Sequence, residues 1–171
     1  MKKETKGKLI PLTLTLVIVL LDQLSKLIVM KVLPYAKPVR VIGDFFRLTY
    51  VKNPAIGFSI GRSLPLTTQR VIFTALPIIV IVILLLFYFF TKELTKAQNW
   101  VFALIIGGGM GNMLDRIIRG DGVVDFLDVK FYGILGMQRW PTFNLADSSV
   151  VVGGITLLIL FIISEARRKN E

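Results

Sequence analysis

The residues able to do chemistry in this chain are concentrated between Gly107 and Asp147. That stretch joins two hydrophobic segments and carries Asn112, Asp115, Arg116, Asp125, Asn144 and Asp147. Polar and ionisable groups are costly beside hydrocarbon, so a cluster at a membrane boundary points to a working site or a watered cavity. The 171-residue chain contains no His and no Cys. Lacking Cys, it has no disulfides, no thiolate nucleophile and no Cys-held zinc; lacking His, it loses the commonest general base and metal ligand. Two carboxylates brought together still have one chemistry that needs no cofactor. They can share a proton, activate a water and hydrolyse an amide. No metal and no cofactor is expected.

Helical spacing indicates which groups share a face. Asn112, Asp115 and Arg116 stand at i, i+3 and i+4, and Asp22 and Lys26 at i and i+4 can pair. Asn144 and Asp147 are three apart and open a further apolar run, while Asn53 follows a strand-like stretch. Four separate segments thus deliver polar groups to one depth. Asp125, between Val124 and Phe126, has an apolar setting that favours holding a proton. Asp147 opens a helix, where the dipole favours the ionised form. The contrast would separate an acid from a base within a coupled pair. Asp115, paired with its neighbour Arg116 or with another cation, suits bracing. Asp128 reads as a solvated loop acid.

The elements that must position these groups are membrane spans. The chain is 54% hydrophobic with a mean hydropathy of +0.69, and its apolar residues fall in long runs rather than stripes. Runs at about 9–30, 71–90, 100–114 and 144–163 predict four transmembrane helices in one integral membrane domain covering 1–171. The net charge of +10 lies at the run ends, as for lipid headgroups, without the basic-aromatic patches that nucleic acid would need. Basic residues crowd both tails and the turn near Lys92 and Lys96, which predicts cytoplasmic termini. The extracytoplasmic segments are then 31–70 and 115–143. In the first, Val39–Ile42 and Phe45–Val51 flank Gly43-Asp44, predicting a small β-sheet on the membrane, with Gly57–Gly61 as a short return strand. The second is a loop or short helical segment with a brief β-like patch at Val123–Phe126. Four glycines between Gly107 and Gly111 allow close helix packing, or room for a bulky ligand beside the site.

These residues carry a family resemblance. LDQLSK ending the first span, GNMLDR closing the third, VVDF after it and FNLADSS opening the fourth resemble the bacterial lipoprotein signal peptidases, or signal peptidase II. The resemblance covers nearly the whole chain, in order. It implies an aspartyl protease of the inner membrane that cuts a prolipoprotein before a diacylglyceryl-modified Cys. It implies that Asp125 and Asp147 are the catalytic pair, that Asn112, Asp115 and Arg116 support them, and that Asn144 helps position substrate. Asp22 matches the family's first-span Asp. One stretch departs from the family pattern: Asn53 and Phe58 match, but the small residues between them are rearranged. The expected partners are the lipidated substrate and membrane lipids, with no nucleic acid and no obligate protein partner.

Two other readings compete. A small transporter or channel would also line a cavity with Asp, Asn and Arg, but it needs access from both faces. A serine protease would use Ser25, Ser148 or Ser149 with Lys26 as base.

Overall fold

The computed structural model describes residues 7–54 and 65–169. The return strand expected at Gly57–Gly61, the Ala55–Phe58 part of the departing stretch, and Lys2, Lys3 and Lys6 lie outside them. The element order is α1 (Leu12–Val32), β1 (Val39–Ile42), β2 (Phe46–Asn53), α2 (Leu66–Phe90), α3 (Lys96–Ile118), β3 (Val123–Val129) and α4 (Leu145–Arg168). Four helices are long and apolar enough to cross a membrane, and the strands form one three-stranded sheet. The expected class is what is found, a mainly helical multi-pass membrane protein with a small sheet.

The helix α3 is the centre of the bundle and packs against each of the other three. Its mean hydropathy is 1.4, against 3.0 for α2, so it is the span least suited to face lipid. It is longer than the 100–114 expected. A capping box starts it, with Thr95 accepting from the Gln98 N–H and Gln98 accepting from the Thr95 N–H. The polar first turn, Lys96–Asn99, is therefore helix rather than part of the connecting turn. Further along, Gly111 has the Asp22 carboxylate against it; a Cβ there would sit 2.6 Å from Asp22 Oδ2. Gly108 is likewise packed against Ala146 and Val150 of α4. These glycines bring helices together, and the space beside them is filled by side chains rather than left for a ligand.

At the end of the bundle away from the sheet, Tyr88, Phe102 and Ile106 form a buried cluster. The other apolar helix faces point outward, as at Ile83 and Leu158. That is the arrangement a hydrocarbon solvent permits.

The sheet is antiparallel in the order β1-β2-β3. The hairpin β1–β2 turns at Gly43-Asp44 as expected, with Gly43 at φ +50°. The third strand is the larger finding. The β-like patch continues to Val129 and pairs along β2, setting Asn53 opposite Val123 and Val51 opposite Asp125. Val124 and Phe126 pack on Val29 of α1, which seats the strand on the bundle.

Candidate active site

The sequence-predicted residues converge at one end of the bundle. Asp22, Lys26 and Asp115 are fully buried there. Lys26 Nζ lies 2.8 Å from Asp22 Oδ2 and 3.0 Å from Asp115 Oδ2. It also donates to Asn112 Oδ1 at 3.0 Å. The expectation for Asp115 left its cation open; the structure supplies Lys26 and Arg119. Two acids thus meet two bases with no net charge left in a buried place. Gln23 completes the cluster, donating to Asp115 Oδ1 at 2.9 Å and to the Gly111 carbonyl at 3.0 Å.

This hub grips the two segments that carry the remaining carboxylates. Asp22 Oδ1 accepts the Ala146 N–H at 3.1 Å, one residue before Asp147. Asp115 Oδ2 accepts the Val124 N–H at 2.9 Å, one residue before Asp125. Each brace thus acts on the backbone beside an acid rather than on the acid itself.

The carboxylates are held by asparagines. Asn112 Nδ2 donates to Asp147 Oδ1 at 2.7 Å, and Asn144 Nδ2 donates to Asp125 Oδ1 at 2.8 Å. Asn144 also donates to Asn112 Oδ1 at 3.0 Å, so one relay joins both acids. Asn53, brought in by β2, donates to Asp125 Oδ2 at 3.0 Å. Asn144 and Asp147 cap α4 reciprocally, each side chain accepting the other's backbone N–H. Asp147 is thus also a helix-capping residue, and only its Oδ2 is used that way.

Asp125 and Asp147 line one cleft of about 190 Å³, with Asn53, Asn112 and Arg116 on its polar side and Trp140, Pro141 and Phe143 on its apolar side. Arg116 also donates to the Asn112 carbonyl at 3.1 Å. Burial, and then the negative charge of Asp147, push the Asp125 carboxyl up to about 7. It therefore holds a proton well above the usual carboxylate range and gives it up near neutrality, in keeping with its apolar flanks.

Asp128 differs from its reading as a solvated loop acid. It is 4% exposed and paired with Arg47 and Arg139. Neither arginine was singled out from sequence, and local pattern carries no sign of a partner some 80 residues away in β2. Arg119 had a visible signal, standing four residues after Asp115. The serine reading loses its geometry: Ser25, Ser148 and Ser149 donate to the helix carbonyls of Asp22, Asn144 and Leu145. Lys26 is taken up by Asp22, Asp115 and Asn112 instead.

Comparison with known proteins agrees with this architecture. Residues 14–163 match the family model described as signal peptidase (SPase) II. The lipoprotein signal peptidase of Treponema denticola is 40% identical over 96% of this chain and 95% of its own. That of Treponema pallidum is 42% identical over 97% of this chain and 90% of its own. A bacterial membrane enzyme solved by the in meso method at 2.3 Å superposes with a TM-score of 0.78 at 26% identity, covering 94% of this chain and 92% of that one.

Proposed function

The chain belongs to the signal peptidase II family, an aspartic peptidase that removes signal peptides from prolipoproteins, and we propose that Asp125 and Asp147 make its cut. The observation that carries this is the relay through Asn144 and Asn112, which presents both acids to one cleft. The bond broken is the one before a diacylglyceryl-modified Cys, and the site end of the bundle faces the outer leaflet of the bacterial inner membrane with both termini cytoplasmic. The positive residues of Arg167, Arg168 and the second-to-third turn support that orientation.

In this reading the ionised carboxylate of Asp147 takes a proton from a water as its oxygen attacks the scissile carbonyl carbon. Protonated Asp125 gives its proton to the carbonyl oxygen, forming a gem-diol. Collapse of the diol then breaks the C–N bond. Asp125 recovers a proton from the diol, and Asp147 passes its own to the leaving amine. Asn144 and Asn112 fix the two carboxyl planes, while Asn53 and Arg116 bound the cleft. Asp22, Lys26 and Asp115 hold the segments in place. A channel is disfavoured because the buried cluster of Tyr88, Phe102 and Ile106 lies between the helices at the end away from the site. Serine-to-alanine changes at Ser25, Ser148 and Ser149 are the direct test against the Ser/Lys route, and they should leave cleavage intact.

The pH dependence follows from Asp125. Its proton is held below about 7 and lost above it, so kcat/KM should fall on the alkaline side with a midpoint near that value. The sign for stability is the same. The folded state keeps a proton that the unfolded chain, at the ordinary 3.8, gives up, so stability declines as pH rises from 3.8 to about 7. A kcat/KM that stays flat from pH 6 to 9 would remove Asp125 from the acid role.

Cleavage should also be indifferent to chelators. Each of the two acids already receives Asn N–H donors, which compete with a cation for the carboxylate oxygens. Purified enzyme assayed on a lipidated prolipoprotein with and without EDTA decides this. Inhibition that added divalent ions reverse would overturn it.

A further inference from the structure

We infer that Arg139, clamped on Asp128, is a positioning residue for the reaction: it pins the register of segment 139–143, which walls the cleft and leads into α4. The inference rests on Asp125 and Asp147 being the reacting pair, but uses neither.

The segment runs back antiparallel to β3. Two bridges fix it, Lys130 with Arg139 and Leu127 with Phe143. From 127 to 130 is three steps, and from 139 to 143 is four, so the return carries one extra residue. Such a bulge re-aims side chains and bends the strand that holds it. Pro141, which has no N–H to give a ladder, lies within it. On either side the ladder is intact. Trp140 N–H donates to the Val129 carbonyl at 3.0 Å, and Phe143 N–H to the Leu127 carbonyl at 3.1 Å. The bulged residues Trp140, Pro141 and Thr142 all line the cleft.

A slip of one residue in this return would flip every side chain to the other face. What resists it here is the Arg139 guanidinium. Its Nε pairs with the Asp128 carboxylate, its Nη2 donates to the Asp128 carbonyl at 3.2 Å and its Nη1 to the Asp44 carbonyl at 3.0 Å. Arg47 holds the other carboxylate oxygen of Asp128 at 2.7 Å, and Thr49 donates to that same oxygen at 3.2 Å. The carboxylate is thus fixed from both strands. Burial would raise its affinity for a proton, but Arg139 and Arg47 outweigh this and keep it below its usual range. Phe143 is followed directly by Asn144, which reaches Asp125 and caps the turn bearing Asp147. A slip at Arg139 therefore moves the relay between the two acids.

The test is steady-state cleavage of a lipidated prolipoprotein by Asp128→Asn and Arg139→Lys, with kcat corrected for the folded fraction. Displacing a reacting group by about 1 Å costs about 100-fold, so a fall in kcat of about tenfold to 100-fold is expected. The alkaline limb should also move to higher pH, because the Asn144 hydrogen bond that favours ionised Asp125 is weakened. Lys keeps the charge, but one ammonium lacks the fork that grips Asp128 and Asp44 together. Lys130→Ala, which removes the half-exposed pair with Asp44 and a contact with the Tyr132 ring but leaves the Arg139 clamp on Asp128 whole, should match wild type. Unchanged kcat and pH profile in both variants overturn the inference. So does collapse of Arg139→Lys, which would assign the residue to folding alone. Continued cleavage by Asp125→Asn would instead overturn the underlying pair.

Discussion

Asp125→Asn and Asp147→Asn should each abolish cleavage while the protein stays folded and inserted. Asn cannot hold or return a proton, and acid–base work contributes about 100-fold to 10,000-fold in rate. Here the pair also generates the nucleophile, so the loss is expected at or beyond the top of that range. The double variant should be no slower than either single one, since groups acting as a unit are not additive. The local environment sets the side effects. Asp125 accepts from Asn53 and Asn144, so an amide there must turn its NH2 toward one of those donors and forfeit that bond. Asp147 can keep its cap to Asn144 and lose only the bond from Asn112. Asp147→Asn should therefore be the milder change in stability and the better trap for uncleaved substrate. Asp121→Asn is the matching control, because that acid is exposed and, among the described residues, its ion pair is with Lys52 at the sheet margin. Cleavage by either Asp variant within tenfold of wild type would mean the wrong carboxylates have been chosen.

The sequence made the groups legible but not their wiring. Alternation of Phe46, Leu48 and Tyr50 around a Gly-Asp turn is local information, and β1 and β2 formed where it pointed. The pairing of β2 with β3 joins residues about 80 apart, and nothing in either strand's pattern announces its partner. Asp128 differs from a solvated loop acid for that reason, because Arg47 reaches it across that pairing. The start of α3 differs for another: Lys96–Asn99 is too polar to read as span, although Thr95 and Gln98 spell a capping box. For the site, helical spacing placed Asn112 and Asp115 on one face and paired Asp22 with Lys26, as found. It could not show that Asp22 and Asp115 each hold a backbone N–H next to an acid, since that depends on how three elements meet.

That meeting point carries the largest expected effect on stability. Lys26→Met keeps the length and apolar stem of the side chain and removes its charge. Asp22 and Asp115 then face each other with Arg119 as their remaining cation, in a place none of the three original side chains exposes to solvent. Breaking a buried ion pair from one side costs about 3–5 kcal/mol, because the stranded charge keeps its desolvation penalty. For a chain of this size that corresponds to a fall in Tm of roughly 10 °C. Asp115→Ala should cost as much and also free the Val124 N–H. Adding Asp22→Asn to Lys26→Met removes one stranded charge, so the double variant should lose less than the sum of the two single losses. Activity should drop alongside, since Lys26 orients Asn112, and Asn112 holds Asp147. Thermal unfolding in detergent micelles measures all of this. If Lys26→Met melts within a degree or two of wild type, the hub does not brace the site, and the two acid-bearing segments must be held by packing alone.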